Sequence, residues 1–401
     1  PVINERIAEK FIEVVTNKKV KSQIYKGFKI YSLKNGASYL ITGKHIYISN
    51  NFYTIKDYID ESIKNKTSRL STNETFRKAL TDLRSDRAGT LVLVDHAGIF
   101  DRINEATQNT LYELASTYQK YPSMIEYSSG FFNGTQEGLD LNLRTRLDIG
   151  NIKDKHLQKT FARLLNKDSK AIHPDILPEN TIAYLSVGNF KSLIDFTFQL
   201  KGAENYKEVN RFVNSITNMD FEDKILPVFE QGAALAIIKG AGKYDSTVLF
   251  IPYKEDTDKA VSKLAKIVPV QIPDSEITQQ SYKKRNLEVI TSPNLDKAFS
   301  YGRISPEWFV IGDKNGVEKV IDSLDSGKVM KTVNFNQDYI QNPETFIYVD
   351  WEKAKKSSIL KNLTSSMPEL VSNKLNSIVY TLNSDSGKIN SSLQLRLKGK
   401  N

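Results

Sequence analysis

Four histidines supply every imidazole that this 401-residue sequence could use for acid–base or metal chemistry. They stand far apart, at His45, His96, His156 and His173, and none has a second histidine or a carboxylate three or four residues further along. A metal site on a helix needs ligands at that spacing, because those positions share one face. The sequence therefore predicts no metal site.

Asp95-His96 is the pair best placed for catalysis, since it follows the apolar stretch 90–94, which we predict to be a strand. A similar stretch later in the chain ends in Asp350-Trp351, so the two stretches share the aspartate and not the histidine. An aspartate at the start of a helix satisfies free backbone N–H groups of its first turn. We interpret Asp95 and Asp350 as caps of the helices that follow them.

The run Gly240-Ala241-Gly242-Lys243 is similar to the end of a phosphate-binding loop. That loop also needs a glycine at position 237 and a serine or threonine at position 244, where this chain has Ile237 and Tyr244. The run also joins two predicted strands and does not open a helix. We predict a hairpin turn.

The sequence lacks the residues and motifs that most nucleophilic and redox sites need. The chain has no cysteine and no Gly-x-Ser-x-Gly motif, which excludes thiol chemistry, thiolate metal sites and the nucleophile elbow of hydrolases. Several acidic residues lie beside lysines, namely Asp57, Asp60 and Glu61, and we interpret them as part of a solvated helix face. A hydrolase that uses two distant carboxylates stays open as an alternative. We predict no enzyme, no catalytic or cofactor-binding residue and no cofactor.

The net charge of +9 raises the question of nucleic acid or anionic membranes as partners. The 56 basic residues are interleaved with 47 acidic ones, and basic runs such as Lys283-Lys284-Arg285 are short. We interpret them as solvated surface and predict no specific nucleic-acid partner, with polyanion binding as an alternative. No apolar run is long enough to span a bilayer.

An internal repeat is the most informative feature of the sequence. Segments match in the same order in both halves, with one change of loop length. The matched pairs are Ile48 with Ile311 and Asn73 with Asn336 at a spacing of 263, Val94-Asp95 with Val349-Asp350 at 255, and Leu139 with Leu393 at 254.

The repeat sets the predicted domains. We expect a first repeat over residues 1–150, a helical linker over 151–176 and a second repeat over 177–401. Residues 177–252 have no counterpart in the first repeat, so we expect its N-terminal part to be missing, upstream of Pro1.

The element pattern indicates an α+β fold. Strands are predicted at 181–187, 233–238 and 247–252, then around 287–290, 298–301 and 308–311; helices are predicted at 190–200 and 256–268. Hairpins mixed with helices favour, in each half, a mainly antiparallel sheet with helices packed on one side.

Several stretches of the second half resemble an uncharacterised bacterial family, the domain of unknown function 3352. They are Leu177-Pro178-Glu179-Asn180-Thr181-x-Ala183-Tyr184, Phe309-Val310-Ile311-Gly312, Val333-x-x-Asn336-x-x-Tyr339 and Phe346-Ile347-Tyr348-Val349-Asp350. The resemblance implies a cell-envelope protein with a large extracytoplasmic region behind an N-terminal membrane anchor, which is absent from this sequence. It offers no catalytic residue.

These observations favour a non-enzymatic protein of the cell envelope, on the periplasmic or extracellular face, that acts as a scaffold or in protein–protein interaction. Its expected partner is another envelope protein or an envelope polymer, and its only expected membrane association is through a segment upstream of this chain. The alternative is a carrier or sensor of an apolar ligand such as a lipid, because the chain is rich in aromatic residues.

Overall fold

The structure, a computed structural model, divides the chain into two compact units, Pro1–Arg77 and Lys78–Asn401. It describes residues 20–32, 37–42, 45–63, 74, 77–78, 81, 90–94, 125–134, 138–151, 155–164, 169–200, 203–240, 244–331, 340, 342–365, 369–385 and 387–398.

The described residues of the first unit form a four-stranded antiparallel meander and a helix that follows it. Ile30 and Leu40 of the sheet pack against Ile55 and Ile59 of the helix, whose apolar residues recur at the spacing of one helical face. Its elements are β1 (Lys21–Tyr25), β2 (Phe28–Ser32), β3 (Ser38–Thr42), β4 (His45–Ser49) and α1 (Phe52–Ile63).

The second unit contains one continuous sheet of thirteen described strands, in which every described pair is antiparallel. The spatial order is β11-β12-β13-β14-β10-β9-β8-β15-β16-β17-β7-β6-β5. Its strands are β5 (Thr90–Val94), β6 (Ile125–Gly134), β7 (Gly138–Leu147), β8 (Thr181–Val187), β9 (Ala233–Ile238), β10 (Ser246–Pro252), β11 (Glu276–Tyr282), β12 (Arg285–Thr291), β13 (Phe299–Arg303), β14 (Trp308–Asp313), β15 (Thr345–Asp350), β16 (Leu375–Asp385) and β17 (Lys388–Leu397).

Helices connect these strands. They are α2 (Lys155–Leu164), α3 (Phe190–Leu200), α4 (Ala203–Thr217), α5 (Thr257–Ala265), α6 (Ile267–Gln271), α7 (Lys314–Ser326), α8 (Trp351–Ala354), α9 (Lys361–Ser365) and α10 (Glu369–Ser372). The predicted strands and helices of the second half are present, and the antiparallel mixed fold is confirmed. The predicted helix over 256–268 is divided at Lys266 into α5 and α6.

Helices cover both faces of the sheet around β10. On one face Phe250 packs in a cluster with Val317 of α7, and on the other face Ile251 packs with Ala260 of α5. Neighbouring residues of a strand point to opposite faces, so the predicted arrangement with helices on one side is wrong here. The strand sequences give the reason: β9 and β10 are almost continuously apolar, which is typical of strands buried on both sides.

The β1–β2 hairpin is fixed to the helix of its own unit. Its turn consists of Lys26 and Gly27, both with positive φ (47° and 84°). Tyr25 Oη donates to Asp60 Oδ1 of α1 at 3.1 Å, and Lys26 Nζ lies 2.7 Å from the same oxygen. We call this arrangement the Tyr–Lys–Asp contact.

The β11–β12 hairpin has the same contact. Its turn consists of Lys283 and Lys284, with φ of 46° and 64°. Tyr282 Oη donates to Asp322 Oδ1 of α7 at 2.9 Å, and Lys283 Nζ lies 2.5 Å from that oxygen. In both places a four-stranded meander is followed by a helix, and one aspartate of that helix contacts the first hairpin of the meander.

Two longer hairpins, β6–β7 and β16–β17, share an irregularity. In β6 the register shifts between Ile125 and Tyr127, and in β16 it shifts between Leu375 and Ser377. These shifts lie 250 residues apart, and so do the starts of β7 and β17. The leucine match in the sequence had a spacing of 254, because an alternating strand can slide by an even number of residues without losing its pattern.

Candidate functional site

The histidines singled out in the sequence do not converge in the described part of the chain. His45 lies in β4 and His156 in α2, while Asp95 and His96 lie outside the described residues. His173 is packed edge-on against Phe346, with ring centroids 4.9 Å apart, and its Nδ1 is 3.3 Å from Tyr184 Oη. Burial lowers the pKa of His173. Its surroundings are those of a core residue.

The interpretation of Asp350 as a helix cap is confirmed, since Asp350 Oδ1 accepts a hydrogen bond from Lys353 N at 3.1 Å. The carboxylates do not assemble into a metal site among the described residues: no group of three histidine, cysteine, aspartate or glutamate side chains could hold an ion there.

The run after Gly240 joins β9 to β10, which pair antiparallel as predicted for a hairpin; residues 241–243 lie outside the described part. Asp245, which follows the turn, has a fully buried carboxylate. It accepts hydrogen bonds from Ser357 Oγ at 2.6 Å and Ser358 N at 2.7 Å, and Lys239 Nζ lies 3.2 Å away. Burial acts to raise the pKa of Asp245, and these donors outweigh it, so that the pKa is lowered. This network fixes the hairpin to the segment after α8.

The lysines near this hairpin are engaged with backbone carbonyls. Lys297 Nζ donates to the carbonyl oxygen of Asp245 at 2.7 Å, and Lys319 Nζ donates to that of Lys239. Burial lowers the pKa of Lys319. These side chains stabilise the fold locally, and they do not form an open basic patch.

The arrangement that stands out lies where β17 pairs with β7, the tenth and eleventh of the thirteen strands. We call it the central seam, because neither strand lies at an edge of the sheet. One face of the seam is polar. Asp140 lies opposite Gln394, and Asn142 lies opposite Ser392, and all four side chains are buried. Arg396 Nη1 is 3.7 Å from Asp140 Oδ1, and Arg396 Nη2 donates to Gln394 Oε1 at 2.5 Å.

Hydroxyl groups extend this polar face onto the flanking strands. Ser129 of β6 and Thr381 of β16 lie opposite Arg144 and Ser392, respectively, and are buried. The hydroxyls of Ser129, Thr381 and Ser392 have no hydrogen-bond partner among the described residues. Buried polar atoms in this state are the usual binding places of internal water.

The other face of the seam, which we call the apolar face, is less buried. Leu139 is 37% exposed, and Leu141, Leu143, Leu393 and Leu395 are partly exposed. Leu139 lies opposite Leu395 and Leu141 lies opposite Leu393, so the leucines form adjacent cross-strand pairs.

The row of apolar residues continues across the neighbouring strands. Register places Leu393 beside Tyr380, Tyr380 beside Ile347, Ile347 beside Leu185 and Leu185 beside Leu235. Leu235 is 40% exposed. With strands about 4.8 Å apart, a row from β7 to β9 spans roughly 25 Å.

Sequence reasoning missed this site, although its alternation was visible. Leu139 to Leu143 and Leu393 to Leu397 alternate with polar residues, which predicts a sheet with one covered face. The natural inference is that the leucines face the core. In the structure the buried face is the polar one, and the small uncharged residues Ser392 and Asn142 were the available signal.

Two open depressions lie elsewhere among the described residues. One, of about 640 Å³, is lined by Lys283, Lys284, Arg285 and Asp325. The other, of about 360 Å³, lies between α5 and the segment before β9 and includes Asp223, Lys224, Lys254 and Asp256 in its lining. Both have charged walls.

Among the described residues, no helix combines the length and the apolar character that crossing a membrane requires. No curated protein matches the sequence. Two crystal structures of TP0453 are similar over part of the fold. Crystal form III has 10% identity, covers 57% of this chain and 82% of that chain, and has a TM-score of 0.33. Crystal form IV has 12% identity, covers 58% and 83%, and has a TM-score of 0.30.

The family comparison covers nearly the whole sequence. The family described as "Protein of unknown function (DUF3352)" matches residues 1–398. Three of the second-half stretches that carried the resemblance lie on or next to β8, β14 and β15. β8 pairs with β15, and two strands separate β8 from β14. The fourth stretch, Val333 to Tyr339, lies outside the described residues. The chain therefore belongs to the DUF3352 family.

Proposed function

We propose that this protein is a non-enzymatic scaffold of the cell envelope that binds another protein through the apolar face of the central seam. The observation that carries the proposal is the pairing of partly exposed leucines on two interior strands of a wide sheet, with the charged residues of the same strands on the opposite face. Protein interfaces have this composition, because charged groups are depleted from their centres.

The shape of the apolar face favours a protein over a lipid. A ligand pocket encloses most of its ligand, whereas this face is a row of side chains that crosses six strands over about 25 Å. The two depressions described above have charged residues in their walls. A carrier of an apolar ligand is therefore the weaker candidate.

We also propose that the chain contains two related halves, residues 1–150 and 177–401, joined by the segment 151–176. The two Tyr–Lys–Asp contacts support this, as do the register shifts 250 residues apart in β6 and β16. Under this proposal the central seam is where the halves meet, because β7 belongs to the first and β17 to the second.

An extracytoplasmic location, with membrane attachment through a segment outside this chain, completes the proposal. The absence of cysteine from the sequence is compatible with an oxidising compartment.

The experiment is site-specific photo-crosslinking in native envelopes. A photoreactive amino acid at Leu139 is expected to give one discrete protein adduct, and the same group at Val270, an exposed apolar residue of α6, is expected to give none. Leu393→Arg, which places a charge on the apolar face beside Leu141, should abolish the adduct at position 139.

Two results would contradict the proposal. One is an equal yield of adducts at positions 139 and 270, which indicates non-specific contact. The other is a lipid adduct at Leu139 with no protein adduct, which would favour the carrier.

A further inference from the structure

Among the described residues, strand β4 has a free edge, whereas its counterpart β14 in the second meander, β11 to β14, is covered. β4 pairs with β3 and is the last strand of the four-stranded sheet. In the second meander β14 pairs with β13 and also with β10. The two strands occupy the same place: Ile48 lies opposite Tyr39, and Ile311 lies opposite Tyr301.

The backbone of β4 is arranged to accept another strand. Thr42 and His45 close the β3–β4 hairpin as a hydrogen-bonded pair, and residues alternate after it. Ile46 and Ile48 therefore direct their N–H and C=O groups away from β3. In β14 the residues at these positions, Phe309 and Ile311, lie opposite Ile251 and Leu249 of β10.

The side chains of β14 and β4 also differ in how far they are buried. Phe309 is 1% exposed, whereas Ile46 at the equivalent position is 38% exposed. Ile311 packs against the cluster that contains Ile251 and Ala260, whereas Ile48 is 74% exposed. Large aliphatic side chains on an unpaired strand edge promote aggregation. Natural proteins therefore avoid them or cover them with a partner.

We propose that β4 is an acceptor edge for one extended strand with the pattern of β10, added antiparallel to it and supplied by a partner protein. The chemistry of the occupant follows from β10, whose residues Val248, Leu249, Phe250 and Ile251 are apolar on both faces. Main-chain hydrogen bonds to Ile46 and Ile48 provide affinity, and the alternate side chains provide specificity.

A second copy of the chain does not supply this strand. Among the described residues, β10 is already paired on both sides, with β9 and with β14, so a second copy has no free β10 to donate. The site lies within the first unit and is independent of the central seam, so either proposal can fail without the other.

The test uses a synthetic peptide of residues 245–253, which contains β10, added to the full 401-residue chain. Backbone amide exchange is followed by mass spectrometry in residues 45–50, and peptide affinity is measured by fluorescence anisotropy. The peptide should slow exchange in this segment, and a peptide with Phe250→Pro should not.

Two proline variants make the matched comparison. Ile48→Pro removes an N–H that points outward from β4 and should weaken peptide binding about tenfold or more. Ile24→Pro makes the same change on β1, the opposite edge of the same sheet, where Ile24 is also 74% exposed. Its affinity for the peptide should equal that of the unchanged chain.

Urea unfolding of both variants shows whether the first unit is intact. If Ile48→Pro unfolds it, Ile48→Lys and Ile24→Lys take the place of the proline pair, with the same expected difference. Unchanged exchange in residues 45–50, or equal loss of affinity in the two variants, overturns the proposal. So does a dimer in sedimentation that Ile48→Pro converts to monomer, because the edge would then serve a second copy.

Discussion

Lys284 occupies a backbone conformation that suits glycine better than lysine. It is the second residue of the β11–β12 turn and has a φ of 64°, whereas the same place in the β1–β2 turn holds Gly27. A side chain in this left-handed region is crowded by its own backbone. Lys284 is exposed, so its side chain contributes little packing that could offset the strain.

We therefore expect Lys284→Gly to increase the free energy of unfolding by about 0.5–1 kcal/mol, because relief of strain exceeds the added entropy of the unfolded chain. Urea unfolding measures the change. Lys284→Ala removes the same charge and keeps the strain, so it should leave stability nearly unchanged. Equal effects of the two substitutions would point to charge and not to the backbone.

Glu344 is a buried carboxyl whose stability contribution depends on pH. Burial raises its pKa, although Ser384 N and Ser384 Oγ donate to Glu344 Oε1 at 3.1 and 2.7 Å and act in the opposite direction. A carboxyl with a raised pKa favours the folded state while protonated, and this contribution is lost as pH rises through the folded-state pKa.

Glu344→Gln should therefore stabilise the protein relative to the unchanged chain more at about pH 8 than at about pH 4. Thermal unfolding across that range measures the difference. Glu352→Gln is the control of opposite sign, because Lys355 and Lys398 lower the pKa of Glu352. An increment for Glu344→Gln that is the same at both pH values would contradict the burial of a titrating group.

At the scale of elements, the Tyr–Lys–Asp contacts connect a hairpin to a helix without an apolar residue at the turn. Asp322 accepts from Tyr282 and pairs with Lys283, and the adjacent Arg285 pairs with Asp325 at 2.7 Å. The pKa of Tyr282 is raised to about 12, first by desolvation and then by the Asp322 carboxylate.

Asp322→Asn should lower the pKa of Tyr282 toward its ordinary value and reduce the free energy of unfolding by about 1 kcal/mol. Alkaline titration of tyrosine absorbance, with Tyr282→Phe to assign the transition, measures the shift. Asp60→Asn breaks the other contact and should leave the titration of Tyr282 unchanged. A shift in both variants would show that the titration reports general loosening.

The elements also show how far local patterns can be used. The helix at Phe190–Leu200 and the strands around β8, β9, β10 and β14 follow from periodicity, because each pattern lies within a dozen residues. The burial of the polar face of β7 and β17 does not follow from periodicity. Which face of an alternating strand is covered depends on what packs there, and the alternation itself does not specify that.

At the scale of the whole molecule, strands from residues 90–147 and strands from residues 181–397 belong to one sheet. The pairing of Leu139 with Leu395 joins residues more than 250 positions apart, and no local signal in the sequence specifies it. The repeat predicted that similar hairpins occur twice, but two similar hairpins can form two sheets or one. The prediction that no residue is catalytic stays a prediction. The apolar face could not be predicted either, because a binding surface carries no motif that sequence spacing could reveal.

The continuous sheet has a mechanical consequence. Nine residue pairs, from Lys388 with Arg146 to Arg396 with Gly138, form the ladder between β17 and β7. A force directed along these strands would load all nine pairs at once and meet high resistance. A force across them would open the ladder one pair at a time and meet little. The direction in which a tether or a partner pulls on this protein would therefore decide how much tension the joint withstands.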